Sequence, residues 1–326
     1  MKIPLNFSRY LITFATFLIW AVTAPPTSAS SSGQIHSLEK KVDEQAFIIT
    51  KPSIKLLPQN QTINFGPLLW HEEFKGAQVH SLDQTYWTAN IGSYSSFLPT
   101  INSPSNVLVN GNSDGILQIL TSKIFKPSYY TGLCAGKPCQ FQSGEISTRG
   151  KLSFKYGYLE VRFQTPSGEG NWPAIWMCPL GNFGESGKLT PGEIDLMEWY
   201  GNTPSKIWST LHYPSGLNGR NVNDEKRTSS YSTPGTFASK FHKIAIYWIP
   251  NQITFLADDQ VFSTFRASDI TDWPFNEFFY LIINGNVGPQ PNSDLGGVWH
   301  SNKPSVYKID WVRFWSVNGQ GKLISH

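Results

Sequence analysis

From about residue 66 onward the chain is a succession of short runs in which apolar and polar residues alternate, each closed by Gly, Pro, Asn or Asp. KLSFKYGYLEVRFQT (Lys151 to Thr165), IWSTLHY (Ile207 to Tyr213), FHKIAIYWIP (Phe241 to Pro250), ITFLADDQVFSTF (Ile253 to Phe265), FFYLIINGNV (Phe278 to Val287) and VYKIDWVRFW (Val306 to Trp315) all follow this pattern. A period of two places alternate side chains on opposite faces of a strand, and frequent turn residues leave little room for helix. No internal repeat appears and few segments carry a helical period. The pattern predicts an all-β domain, an antiparallel β-sandwich, over residues 66–326. Such a sandwich can bend one sheet into a cleft long enough for a polysaccharide.

The segment before it is of a different kind. Lys2 and Arg9 precede an apolar run from Tyr10 to Ala24, and small residues surround Ala29. That order reads as a secretory signal peptide over 1–29. The apolar run is shorter than the roughly twenty residues that span a bilayer, so cleavage is the reading and an uncleaved signal-anchor at the cell surface the alternative. Residues 30–65 are polar, without a sustained period, and read as a linker or partly ordered arm. Loss of the first 29 residues, which hold two basic and no acidic side chains, lowers the formal net charge from +3 to +1. A secreted, nearly neutral chain has no electrostatic case for nucleic acid, or for membrane after signal cleavage. It is expected to act as a monomer. Asn60-Gln-Thr is a glycosylation acceptor if the source is eukaryotic.

Three cysteines suit an exported chain with one bridge and one free thiol. Cys134 and Cys139 are close enough in sequence to close a small loop, while Cys178, within IWMCPL, reads as a buried thiol. No Cys and His cluster has zinc spacing. The twelve Trp, thirteen Tyr and twenty-one Phe exceed what a core alone needs and suit stacking on sugar rings, although sheets also favour aromatics.

One strand breaks the period. In GEIDLMEWY (Gly192 to Tyr200), Glu193 and Asp195 fall on one face, but strict alternation puts Glu198 with the apolar set. An extra residue, a β-bulge near Leu196 or Met197, restores Glu198 to the acidic face. Two carboxylates flanking a sugar acetal are the minimal equipment for glycoside hydrolysis, and a third between them splits their pKa values. Three acids in this spacing also suit calcium ligation, or the wetted face of an edge strand.

EIDLME (Glu193 to Glu198) matches the E-[IL]-D-x-x-E motif of glycoside hydrolase family 16, in its bulge-containing, laminarinase-like branch of endo-1,3-β-glucanases. The resemblance extends through LLWHEEF (Leu68 to Phe74), SLDQTYW (Ser81 to Trp87), the stretch Ile146 to Pro179, and STLHYP (Ser209 to Pro214). The later runs ending in PFNEFFYLIINGNVG and YKIDWVRFW continue it in the family's order. It implies a jelly-roll sandwich whose concave sheet forms the substrate cleft, and a retaining mechanism. Glu193 is then the nucleophile, Glu198 the general acid/base, and Asp195 the group between them holding geometry and protonation. Trp172 matches a cleft tryptophan that stacks on a sugar. Trp176 shares its face if no irregularity intervenes, and His212 matches a histidine beside the acids. Arg162 and Asn284 match positions that line or support the cleft, and Trp199 is expected behind the acid/base. No cofactor is required. Some relatives carry a structural calcium on the convex side, where Glu73 and Asp310 fall.

The expected activity is hydrolysis of β-1,3-glucan or a related β-1,3/1,4-glucan. The alternatives are a β-glucan-binding protein without catalysis, a wall-remodelling transglycosylase, or a hydrolase of another glycan such as a galactan. The sequence departs from the family's N-x-A-V-G-G pattern at NGNVGP (Asn284 to Pro289), where Asn286 replaces a small apolar residue and Pro289 the second glycine. GESGKLTP (Gly184 to Pro191) also lies in a stretch that varies across the family.

Overall fold

A computed structural model of the 326-residue chain describes residues 49–54, 62–75, 82–92, 98–110, 115–128, 132–134, 136–180, 192–215, 223–270, 272–290 and 295–326. The segment expected to be a signal peptide, most of that expected to be an arm, Asn60 and Gly184 to Pro191 lie outside these residues. Residues Thr50–His326 form one unit. Two large sheets dominate it, one of ten strands and one of nine. All long pairings are antiparallel; the short contact of Thr100–Asn102 with Phe141–Ser143 is parallel. Among the described residues helix is confined to 3-10 turns such as Pro104–Asn106 and Ala267–Asp269, and no helix is long and apolar enough to cross a membrane.

In the nine-stranded sheet the path runs Asn223–Ser232, Lys206–Ser215, Glu193–Trp199, Ala174–Pro179, Phe279–Asn284, Leu152–Lys155 and Lys322–Ser325. Glu145–Ser147 also pairs with Phe279–Asn284. The ten-stranded sheet includes Gln260–Arg266, Gln252–Ala257, His242–Ile249, Gly157–Gln164, Ser305–Val317 and Ile116–Lys123 as successive neighbours. Strand neighbours are mostly not neighbours in sequence, as expected of a jelly roll.

The core lies between the sheets and follows from the alternation. Ile175 and Met177, Ile194 and Leu196, Leu211, and Leu281 and Ile283 point inward from one sheet. They meet Leu159, Val161, Phe163, Ile244, Ile246, Ile253, Phe255 and Ile309 from the other. Each such side chain contributes about 1.5–3 kcal/mol by leaving water. The partners of these residues along each strand are therefore forced onto the outer faces, and on the nine-stranded sheet that face carries the acids. The Cys134–Cys139 bridge forms, so the small loop is closed as the spacing suggested.

Candidate active site

The acid strand, Glu193–Trp199, lies between the histidine-bearing strand Lys206–Ser215 and the tryptophan strand Ala174–Pro179. On one side Glu193 faces His212, Ile194 faces Leu211 and Asp195 faces Thr210, and the next pair is Glu198 with Trp208. Three steps along the acid strand thus match two along its partner. On the other side Trp176 pairs with Asp195 and Ile175 with Met197, which puts the extra residue at Leu196. Leu196 and Met197 are both fully buried, and the Ser209 hydroxyl donates to the Leu196 carbonyl at 2.5 Å. The apolar pull on two successive residues is what resets the phase and returns Glu198 to the outer face.

The result is a set of rungs across that face. Glu198, Ala174, Asn284 and Glu145 stand opposite one another on four successive strands. The next rung holds Asp195 and Trp176, and the one beyond it His212 and Glu193, with Cys178 and Tyr280 paired alongside. Ala174 leaves low ground between Trp172 and Trp176. Both indoles are pinned: Trp172 Nε1 donates to Glu198 Oε1 at 3.1 Å and Trp176 Nε1 to Asn284 Oδ1 at 2.8 Å.

The three acids crowd one another. His212 Nε2 lies 3.2 Å from Asp195 Oδ2, and the Glu193 and Asp195 carboxyls are hydrogen-bonded to each other. Burial, followed by the Asp195 charge, pushes Glu193 well above the usual carboxylate range, with His212 opposing. Burial, and again Asp195, pushes Glu198 up to about 7. The Trp172 indole, His212 and the Tyr200 hydroxyl, which donates to Glu198 Oε1 at 3.2 Å, pull the other way. The site therefore holds protons on its glutamates at mildly acidic pH while keeping donors aimed at the charged form of Glu198. A carboxyl that keeps its proton near neutrality can act as an acid, and a second one beside it can act as a nucleophile once its proton moves away.

A family model described as glycosyl hydrolases family 16 matches residues 100–313, a span that contains all of these groups. The chain belongs to glycosyl hydrolases family 16. It is 31% identical over 282 residues to a glucan endo-1,3-beta-glucosidase A1 of Niallia circulans, covering 78% of this chain and 39% of that protein. It is 33% identical over 189 residues to a beta-glucanase of Rhodothermus marinus, covering 53% of this chain and 62% of the relative. Among solved structures, the laminarinase catalytic domain of Thermotoga maritima MSB8 superposes with a TM-score of 0.63 at 27% identity, over 77% of this chain and 98% of that one. The chain thus spans less than two thirds of the length of each of these two curated relatives.

In this family 16 chain the structure gathers Glu193, Asp195, Glu198, Trp172, Trp176, His212 and Asn284 onto one face. Trp199 turns inward, fully buried behind Glu198. Arg162 is a correction. Its strand, Gly157–Gln164, lies in the opposite sheet, with Val161 and Phe163 inward, so Arg162 projects from that sheet's outer face. There it is ion-paired with Asp310 and lies over the Phe241 ring. Glu73 is gripped by Arg313, with Nε and Nη2 at 2.9 and 3.0 Å. The negative charge that Glu73 and Asp310 were expected to offer calcium is thus already met by arginines. Cys178 is half-buried on the acid face rather than in the core, and burial together with Glu193 and Asp195 keeps its thiol protonated.

Sequence reasoning missed Tyr200 and Glu145. Tyr200 follows Glu198 by two residues and so shares its face, a signal already present in the alternation. Glu145 is buried beside Asn284, with Asn90 Nδ2 2.5 Å from Oε1 and Asn102 Nδ2 3.3 Å from Oε2. Its carboxyl is pushed up to about 7 by burial. Only the cross-strand register reveals its place.

Proposed function

We propose that this chain is a secreted, retaining endo-β-glucanase of the laminarinase-like branch, acting on β-1,3-glucan or a related β-1,3/1,4-glucan. The observation that carries the reading is the bulge at Leu196, which sets Glu198 on the same face as Glu193 with Asp195 between them. Trp172 and Trp176 supply anchored platforms on which the apolar faces of pyranose rings stack.

In the first step Glu193 gives up its proton to solvent, an ionisation that His212 favours, and frees a carboxylate oxygen. That oxygen attacks the anomeric carbon as the glycosidic C–O bond breaks, and Glu198 gives its proton to the departing sugar oxygen. A covalent glycosyl ester on Glu193 and an ionised Glu198 result. Trp172 and Tyr200 stabilise the new charge on Glu198 through hydrogen bonds already in place. In the second step Glu198 takes a proton from water, whose oxygen attacks the same carbon and displaces Glu193. Configuration is retained because two inversions occur.

The test is incubation of the mature protein with laminarin, mixed-linkage β-glucan, agarose and carrageenan, with products sized over time. Early release of mid-length oligosaccharides from laminarin is expected, and loss of turnover in Glu193→Gln and Glu198→Gln with folding intact. Glucan binding without any cleavage by the wild-type chain would favour the recognition-protein reading instead. Longer products than the starting chains would favour transglycosylation.

A further inference from the structure

The strand that ends at Asn284 continues along the tryptophan strand beyond its regular pairing. Ala174 pairs with Asn284, the Trp172 N–H donates to the Asn286 carbonyl at 2.8 Å, and Asn171 bridges Val287. Trp172 and Asn286 are therefore directly opposite on one face, a relation that puts Cβ atoms about 4.5–5.5 Å apart. Gly285 between them fixes which way the segment faces. A Cβ there would meet Ser143 Oγ at 2.5 Å and Thr121 Oγ1 at 2.6 Å, so the chain cannot roll to exchange Asn284 and Asn286 for the opposite side.

The Asn286 amide is oriented as well as placed. Its Oδ1 accepts the Val287 N–H at 2.9 Å, and its Nδ2 makes no hydrogen bond among the described residues. The side chain is half-buried. On the opposite flank of Trp172 stands Tyr200, with ring centroids 5.7 Å apart. The indole N–H of Trp172 is already committed to Glu198. The Trp172 platform thus has an aromatic wall on one flank and an unused amide donor on the other.

We propose that Asn286 is a specificity-determining residue for the sugar that stacks on Trp172, its Nδ2 donating to a ring hydroxyl of that pyranose. The inference rests on the reading of this face as a glycan cleft. It concerns a group that the resembled pattern lacks, since a small apolar residue stands there instead. A site holding a donor for a hydroxyl penalises a sugar without that hydroxyl, because the donor is then covered and unpaired.

The experiment uses β-1,3-gluco-oligosaccharides and a set of their monodeoxy analogues with wild-type protein, Asn286→Ala and Asn286→Asp. Expected are a KM raised about tenfold in Asn286→Ala with kcat within about twofold, the same direction in Asn286→Asp, which has only acceptors, and an unchanged pH profile. One deoxy position should cost the wild-type chain about tenfold in kcat/KM and cost Asn286→Ala nothing further. An active wild-type chain with both variants inside twofold of it, or a deoxy penalty that persists in Asn286→Ala, would overturn the role of Asn286 alone. A wild-type chain that turns over no glycan overturns the glycanase reading and this inference with it.

Discussion

Tyr200 and Glu198, two residues apart on one face, are joined by a hydrogen bond from the tyrosine hydroxyl to Glu198 Oε1 at 3.2 Å. Trp172 donates to that same oxygen at 3.1 Å. With Oε1 holding two donors, Oε2 is the oxygen left to carry the acidic proton. Tyr200 is itself held by Trp208, with ring centroids at 4.6 Å.

Removing the Tyr200 hydroxyl should raise the Glu198 pKa further, because a donor to the ionised form is lost while burial remains. A general acid must be protonated, so the basic limb of kcat/KM, expected near 7 from Glu198, should move to higher pH in Tyr200→Phe. A hydrogen bond to a charged group is worth about 1.5–3 kcal/mol and one pKa unit about 1.4 kcal/mol, so the shift should be about one to two units. A pH–rate profile of the two proteins checks it, and a limb moving to lower pH would contradict the donor role.

His212 works in the same sense on Glu193. Its charge opposes the rise imposed by burial and Asp195. In His212→Asn the acidic limb, set by freeing Glu193, should move to higher pH, and kcat/KM at pH 5 should fall roughly tenfold or more. A variant with wild-type kinetics across the acidic range would place His212 outside the mechanism.

Much of this site was legible in the sequence, for a physical reason. Acids are too costly among apolar neighbours to be placed casually, so the break in alternation at Leu196 and Met197 pointed to both the bulge and the catalytic face. Trp172, Trp176 and Asn284 came from the resemblance to family 16, and the structure sets them on the acid face. Arg162 came from the same resemblance and falls in the other sheet, because alternation distinguishes the two faces of a strand but says nothing of which sheet the strand joins. Glu145 was hidden for a related reason: its importance lies in standing opposite Asn284, and register between strands distant in sequence leaves no local trace. The sandwich itself was plain from the period, whereas strand order rests on the same unreadable long-range pairing.

Glu145 and Glu160 make stability depend on pH. Both carboxyls are pushed up to about 7 by burial. Folded pKa values above the unfolded ones mean that the native state binds the extra protons, so stability is fullest below about 4.5 and declines as pH rises through 7. Each group accounts for on the order of 3 kcal/mol across that window. Melting temperature should therefore fall from pH 5 to pH 8, and Glu145→Gln should flatten the slope. A slope unchanged in that variant would show that Glu145 ionises normally.

The Cys134–Cys139 bridge closes a loop of five residues in sequence separation. Chain entropy for so short a loop gives about 2 kcal/mol. The Cys134→Ser, Cys139→Ser double variant should melt several degrees lower yet keep wild-type kcat, since neither cysteine lies on the strands that carry the acids. Loss of kcat at a temperature where the variant is folded would tie the loop to the cleft.

The retaining, two-carboxylate mechanism is tested most directly by proton NMR of the reducing end first released from laminarin by the wild-type chain. The β-anomer should appear first, with the α-anomer growing in only by mutarotation. Initial release of the α-anomer would mean a single displacement by water, and Glu193 would then not be a nucleophile.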